Sequence, residues 1–421
     1  MEVLIVGSGG REHALAWKLK QSPKVSKIYI ASGNAGTALV GENVPIKSCV
    51  EILSWLETHP VGLVVIGPDN YLAEGLTDLI QKLGIPVFGP TKAAAEIEWS
   101  KSYAKQFMLE EGIPTARHRV FETAEVALKY IRKQQFPLVI KADGLAAGKG
   151  VVVAENLAEA EDAVDEIMNQ KAHGDAGGRL IIEEFLEGFE ISVHAFCDGE
   201  NAILFPSSKD HKRVFDGDQG PNTGGMGTVA PVPLLSEKQM QLIQERIVLP
   251  TLRGLARRGR SFRGVLFPGI MLTKYGPSVI EFNARFGDPE TQSYMRLLES
   301  DLLDILLACT NGTLNDIKIR WADFSACCVV VASRGYPAVV EKGILVTLPP
   351  NSAELVIFHA GTTVERESIE TSGGRVLGIT ATGTTLEEAL RFAYEAVSSN
   401  LFNGAQFRTD IGKTSLPEGP E

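Results

Sequence analysis

The chain has 421 residues, 44% of them hydrophobic and 22% charged, which is apolar material for roughly two to four packed domains and excludes a disordered segment. Its 41 basic and 52 acidic side chains leave a net charge of −11, which argues against nucleic acid as the main partner, and 42 glycines without a three-residue period exclude a collagen-like chain. Apolar residues nowhere run on for about 18 positions, so no membrane span is expected, and Cys49, Cys197, Cys309, Cys327 and Cys328 form no CxxC pair, as in a reduced cytoplasmic protein with buried thiols.

From the N-terminus, a β-branched run over 3–6 meets Gly7-Ser8-Gly9-Gly10, and apolar spacing over 12–20 then predicts a helix. The alternation recurs with strands at 27–31, 63–66 and 86–88 and a helix over 72–83, which predicts a parallel sheet. A polar helix from Thr91 contains Lys101 and leads to Gly112-Ile113-Pro114. Strands at 138–141, 150–154 and 180–182 and a helix over 157–168 suggest a compact α+β unit. Between Glu190 and Glu281 lies a Gly/Pro-rich loop, 217–227, too long and glycine-rich for a mere connection. Beyond Trp321, strands at 327–332, 343–348, 355–360 and 376–382 and a helix over 386–397 predict a separate β-rich C-terminal domain, with a frayed tail after Gly412.

Several stretches carry chemistry. In 279–286, period two puts Glu281, Asn283 and Arg285 on one face and Ile280, Phe282, Ala284 and Phe286 on the other. Hard oxygen ligands at i and i+2 suit Mg²⁺ shared with substrate phosphates, and Arg285 is placed to grip a carboxylate or phosphoryl oxygen; a solvated polar face would give the same alternation. Lys141-Ala142-Asp143-Gly144-Leu145-Ala146-Ala147-Gly148-Lys149-Gly150 offers lysine charge and backbone amides to phosphates, although a plain hairpin turn also accommodates such residues. Glu183, Glu184, Leu186 and Glu190 suit a hinge beside a purine, with Glu190 for ribose hydroxyls, although a solvated acidic loop gives the same residues.

At the N-terminus, Glu12 occupies the third glycine position of a dinucleotide fingerprint, so a phosphate site on the helix N-terminus, opened by Gly9 and Gly10 and completed by Asn34, Gly36 and Thr37, is the better inference, with structural turns alone as the alternative. Asp210, Lys212, Arg213 and Asn222 bring acid, bases and an amide to a flexible segment, where Asp210 would take the ammonium and Arg213 the carboxylate of a small zwitterion. A salt-bridged surface loop is the alternative.

Together, Lys101, Lys141, the hinge and the Glu281-x-Asn283-x-Arg285 strand resemble the ATP-grasp superfamily. More narrowly, Gly9 to Ala14, Gly33 to Thr37, Lys141 to Gly150, Gly220 to Gly227 and Phe286-Gly287-Asp288-Pro289-Glu290-Thr291-Gln292 resemble the phosphoribosylamine-glycine ligase family of purine biosynthesis, a likeness that runs from Val3 to about Gly412. Local departures are Asp69-Asn70-Tyr71, Phe189, Lys209, Ala284 and Lys413, and none removes a phosphate lysine or metal ligand.

The resemblance implies an α/β and α+β ATP-grasp fold, with an N-terminal parallel-sheet domain for the substrate phosphate (1–98), an ATP-grasp domain (99–320, its mobile lid about 118–188) and a small β-rich C-terminal domain (321–421). It implies that ATP with Mg²⁺ or Mn²⁺ phosphorylates glycine and that 5-phosphoribosylamine attacks the acyl phosphate. Lys101, Lys141, Gly148, Lys149, Glu183, Glu184, Leu186 and Glu190 would hold ATP, Glu281 and Asn283 the metal. Gly9, Gly10, Asn34, Gly36, Thr37, Arg213, Asn222, Arg285 and Asp288 would bind the other substrates, while Arg285, Asp210 and Lys212 act in catalysis. A monomer or dimer without nucleic-acid or membrane partners is expected, either a single-activity protein or an excised domain of a fused enzyme. The rival readings are another ATP-grasp carboxylate-amine ligase or carboxylase, such as a biotin carboxylase, and an inactive nucleotide-binding regulatory module.

Overall fold

The computed structural model describes residues 1–145, 150–170, 177–232, 235–397 and 401–413. Gly148, Lys149 and, from residue 414 on, the tail expected to fray after Gly412 lie outside them.

The N-terminal strands are parallel, in the spatial order Glu42–Val44, Lys27–Ser32, Glu2–Gly7, Leu63–Ile66, Val87–Phe88. Val3, Leu4, Ile5 and Val6 are fully buried, which is why this strand reads as a continuous apolar run: helices cover both faces. The chain reverses direction across the sheet on either side of Glu2–Gly7, so Gly7 to Gly10 emerge at a switch point, where α/β sheets open a crevice. Two details depart from the sequence reading. The short edge strand Glu42–Val44 is too polar to show periodicity, and the helix expected over 72–83 is two helices, Asp69–Glu74 and Leu76–Lys82, broken where Gly75 takes φ +89°.

A four-stranded antiparallel sheet, His118–Phe121, Leu180–Glu184, Leu138–Ala142, Val151–Ala154, has its own core of Phe121, Ile131, Ile140, Val164 and Ile182. The helix beside it, expected over 157–168, is α-helical over Leu157–Val164 and continues as a π-turn over Asp165–Asn169. A second antiparallel sheet runs Phe189–Ser192, Arg263–Thr273, Ala195–Asp198, Ala202–Leu204, with Gly276–Asn283 also paired to the long strand Arg263–Thr273.

The third sheet joins the C-terminal segment to the middle of the chain. Its order is Lys209–Asp210, Gly227–Ala230, Ser325–Ala332, Arg375–Gly383, Leu355–His359, so two of its five strands come from the middle of the chain. The pairing of Gly227 with Val329 joins segments too far apart in sequence for any local pattern to reveal. The strand expected over 343–348 reduces to an isolated bridge between Leu345 and Glu370, while Thr362–Glu365 and Ser368–Thr371 form an unforeseen hairpin. All five cysteines are buried and unpaired, and among the described residues no helix is long and apolar enough to cross a membrane.

Candidate active site

The sheets converge on a cleft of about 850 Å³. Of the residues singled out in the sequence, Lys101, Lys141, Glu183, Glu184, Leu186, Glu190, Asp210, Lys212, Arg213, Asn222, Glu281, Asn283, Arg285 and Asp288 all line it. These come from a helix start, the small sheet, the long central hairpin and the C-terminal sheet.

Lys101 opens the helix Lys101–Glu111, capped by the Ser100 hydroxyl, which accepts from the Tyr103 N–H at 3.3 Å. Its ammonium donates to the Gly144 carbonyl at 2.8 Å, touching the start of the small-residue loop. Lys141 donates to the Ile280 carbonyl at 3.1 Å and lies 3.1 Å from Glu183. One turn after Lys101, the buried Lys105 meets the same Glu183 carboxylate at 2.9 Å. Burial pulls the Lys105 ammonium down to about 8 against the attraction of Glu183. Glu183 thus sits between two buried lysines, and its second oxygen has no partner among the described residues. Glu184 pairs instead with Arg117, outward, at 2.7 Å.

The Glu281 row is modified in one respect. A bulge opposite Gly269 and Ile270 displaces Ile280, and the strand ends at Asn283, so Ile280 and Phe282 also reach the cleft while Arg285 follows on an irregular turn. Burial would push the Glu281 carboxyl up, but Lys212, Lys101, Lys141 and Arg285 together hold it down to about 2. Its nearest ion-pair partner is Lys212, at 3.7 Å. Lys212 is itself bound to Glu190 at 2.5 Å, so Glu190 grips a lysine in addition to facing the cleft. Arg285 lies 3.0 Å from Glu98 and donates to the Asn283 side-chain oxygen at 3.0 Å; Glu98 also accepts the Ala284 N–H at 2.7 Å.

Asp210 accepts the His211 N–H at 2.7 Å. Burial first, then the neighbouring Glu290, raises its carboxyl well above the usual range, and burial raises Glu290 likewise. Gly225 closes the turn beside it at φ +107°, where a Cβ would stand 2.7 Å from Asp210 and 2.5 Å from Pro289. Asp288 is paired with Arg375 at 3.2 Å and accepts from Gln292 at 2.8 Å.

The N-terminal loop is arranged differently from the expectation. Gly9, Gly10, Asn34, Gly36 and Thr37 come together at the start of the helix Gly10–Leu19 but do not line the cleft. The Asn34 amide donates to the Ser8 and His359 carbonyls, each at 2.9 Å, and its oxygen accepts the Gly36 and Thr37 N–H groups at 2.9 and 3.0 Å. The Thr37 hydroxyl accepts the Asn34 N–H at 2.7 Å. These groups are committed to the turn and to the C-terminal sheet. Gly10 packs against the helix Glu290–Leu297, since a Cβ there would lie 2.5 Å from the Gln292 amide nitrogen. Val at this position is therefore expected to overpack an interface, lowering stability by about 1–3 kcal/mol. A melting curve with paired KM values checks it; normal melting with one KM raised would show direct contact.

Sequence reasoning missed Arg11, Asp69, Glu98, Lys105, Glu290 and Arg375 as cleft residues. Lys105 had a signal, its position one helical turn from Lys101; Arg375 had none, since it arrives from the C-terminal sheet to donate to the Gly224 and Asp288 carbonyls at 2.5 and 2.6 Å.

Lysines between two antiparallel sheets face an acid and an amide on one strand, and the family model over residues 99–291 makes this an ATP-grasp domain. The solved biotin carboxylase of Campylobacter jejuni shares that fold, with a TM-score of 0.76 at 16% identity over 96% of this chain and 92% of that one. Family models for phosphoribosylglycinamide synthetase match residues 1–98 (N domain), 99–291 (ATP-grasp domain) and 326–414 (C domain), and the chain belongs to this family. The phosphoribosylamine-glycine ligase of Rhizobium meliloti is 47% identical over 98% of both chains, and the solved one of Thermotoga maritima superposes with a TM-score of 0.88 at 38% identity, covering 98% of this chain and all of that one. The trifunctional purine biosynthetic protein adenosine-3 of Drosophila melanogaster is 46% identical over 98% of this chain but only 32% of its own length.

Proposed function

We propose that the cleft joins glycine to 5-phosphoribosylamine, converting ATP to ADP and phosphate through a glycyl phosphate. The observation that carries this reading is the convergence of Lys101, Lys141, Lys212 and Arg285 on the Glu281 carboxylate in the cleft. Phosphoryl transfer needs positioning and charge neutralisation rather than a protein nucleophile, and this arrangement supplies both.

Glu281 and the Asn283 amide oxygen suit a hard divalent cation that keeps positions open for phosphate oxygens, and Mg²⁺ or Mn²⁺ held there would neutralise charge on the transferring phosphoryl group. The described residues include no group of three or more His, Cys, Asp or Glu able to hold a metal, which accords with a cation shared with substrate rather than caged by protein. Lys101 and Lys141 hold the phosphates, and Lys105 with Glu183 walls the nucleotide end. Arg285 faces the glycine carboxylate and then the acyl phosphate and its tetrahedral successor.

Asp210 and Glu290 are neighbouring acids that burial holds above the usual range in spite of Lys212, so the ammonium of glycine would favour their ionised forms, with Arg213 and Asn222 for its carboxylate. The ribose phosphate of the acceptor is assigned to the first-turn N–H groups of Gly10–Leu19, at the positive end of that helix, with Asn34 and Thr37 shaping the loop rather than contacting ligand. Buried, unpaired cysteines fit a cytoplasmic setting, as a monomer or dimer. The test is ADP release from Mg-ATP with glycine and freshly made phosphoribosylamine. Turnover should require both, and release that ignores glycine would favour another ligase or a carboxylase.

A further inference from the structure

The hairpin Arg213–Phe215 with Gln219–Asn222 belongs to no larger sheet, and its register shifts between Arg213 and Phe215. A two-stranded hairpin is marginal by itself. The apolar support here is small: Val214 packs with Met226, Ala332 and part of Tyr336. Yet Lys212, Arg213 and Asn222 must hold fixed positions in the cleft.

Order comes from the C-terminal segment. The Arg408 guanidinium, 1% exposed, forks onto the Asp410 carboxylate with two bonds of 2.7 Å. The same group donates to Asp218 of the hairpin at 2.7 Å and to the Arg213 carbonyl at 3.2 Å. Next to it, the Thr409 N–H donates to Asp216 at 2.8 Å, the Thr409 hydroxyl bonds the same carboxylate, and Asp410 accepts the Gly217 N–H at 2.8 Å. The clasp extends to His211, whose Nε2 accepts the Gly412 N–H at 3.2 Å while Nδ1 meets the Gly227 carbonyl at 3.0 Å.

We propose that Arg408 is a positioning residue for the ligation, holding the hairpin so that Arg213 and Asn222 meet the glycine carboxylate. The inference rests on the reading of that hairpin as the glycine site. Arg408 itself touches no substrate; its effect passes through the Arg213 carbonyl and the turn at Asp216 to Asp218. A lysine cannot fork Asp410 and reach Asp218 at once, so the geometry requires arginine.

The test uses the full chain with Arg408→Gln, Arg408→Lys and Asp216→Ala, and Asn222→Ala as the probe of the glycine site. Asp216→Ala removes the two Thr409 bonds without leaving a buried charge, so it is informative even if Arg408→Gln fails to fold. Loss of one or two hydrogen bonds predicts a KM for glycine about tenfold higher, with the KM for ATP and the melting temperature close to wild type, and partial recovery in Arg408→Lys. If Asn222→Ala raises the glycine KM while Asp216→Ala and a folded Arg408→Gln leave it alone, the clasp is refuted and the glycine site stands. Equal losses for glycine and ATP with lowered melting overturn it as well, since the segment is then merely structural. If Asn222→Ala leaves the glycine KM unchanged, the glycine reading of the hairpin fails, and this inference with it.

Discussion

In the Glu281→Gln and Asn283→Ala variants, turnover falls by about two to three orders of magnitude while the melting temperature stays near wild type. Glu281 is ionised at every working pH, because the surrounding lysines and Arg285 hold it at about 2, so glutamine removes a full negative charge from a ring of cations. That charge is the counterweight which lets a divalent cation sit among lysines. The fold does not depend on it: Lys212 keeps Glu190, and the apolar side of the strand, Val279 and Phe282, is untouched. Asn283→Ala leaves the charge and removes one oxygen ligand, so excess metal should restore part of its rate. Near wild-type turnover at low Mg²⁺ in either variant would contradict the metal assignment.

Arg285 separates chemistry from stability. Arg285→Lys keeps a cation but loses the planar fork that serves Glu98, Asn283 and substrate, and should lower kcat by about a hundredfold with a modest change in melting. Arg285→Met should lose the rate and also stability, about 1–3 kcal/mol near neutral pH, because Glu98 is left buried without its partner and takes up a proton. That penalty depends on pH with a definite sign. Burial pushes Glu98 up to about 7 from its ordinary 4.5, so the folded state binds this proton more tightly than the unfolded chain. The contribution is full below the ordinary value and is lost as pH rises through 7. Without Arg285 the proton is held more tightly still, so the variant should melt closest to wild type in acid and fall furthest behind above neutrality. Adding Glu98→Gln to Arg285→Met should recover stability but not rate. Recovery of both would show that Arg285 only holds the fold.

The cleft was legible in sequence where its residues follow a local rule. Glu281, Asn283 and Arg285 alternate with period two, and Lys141 precedes a loop of small residues. What stayed hidden was made by pairing between distant segments. Glu98 looks like any helix-end acid until the Ala284 N–H and Arg285 reach it, and Arg375 is one arginine after a Gly-Gly turn until the C-terminal sheet delivers it to Asp288. The same cause hid the strand Gly227–Ala230, whose partner lies beyond residue 324, and with it Lys209–Asp210, which pairs onto Gly227–Ala230. In the N-terminal loop the residue types suit a phosphate site and a plain turn alike, and side chains that pair with their own backbone and with His359 cannot be told from ligand-facing ones by spacing alone.

The central claim, that ATP activates the glycine carboxylate in this cleft, is tested most directly with glycine carrying ¹⁸O in its carboxyl group. A carboxylate oxygen that attacks the γ-phosphorus becomes the bridge of the acyl phosphate and leaves with phosphorus when the amine attacks carbon. The phosphate released with Mg-ATP and phosphoribosylamine should therefore carry one ¹⁸O atom per turnover. Phosphate free of the label, formed at the same rate as product, would contradict the account.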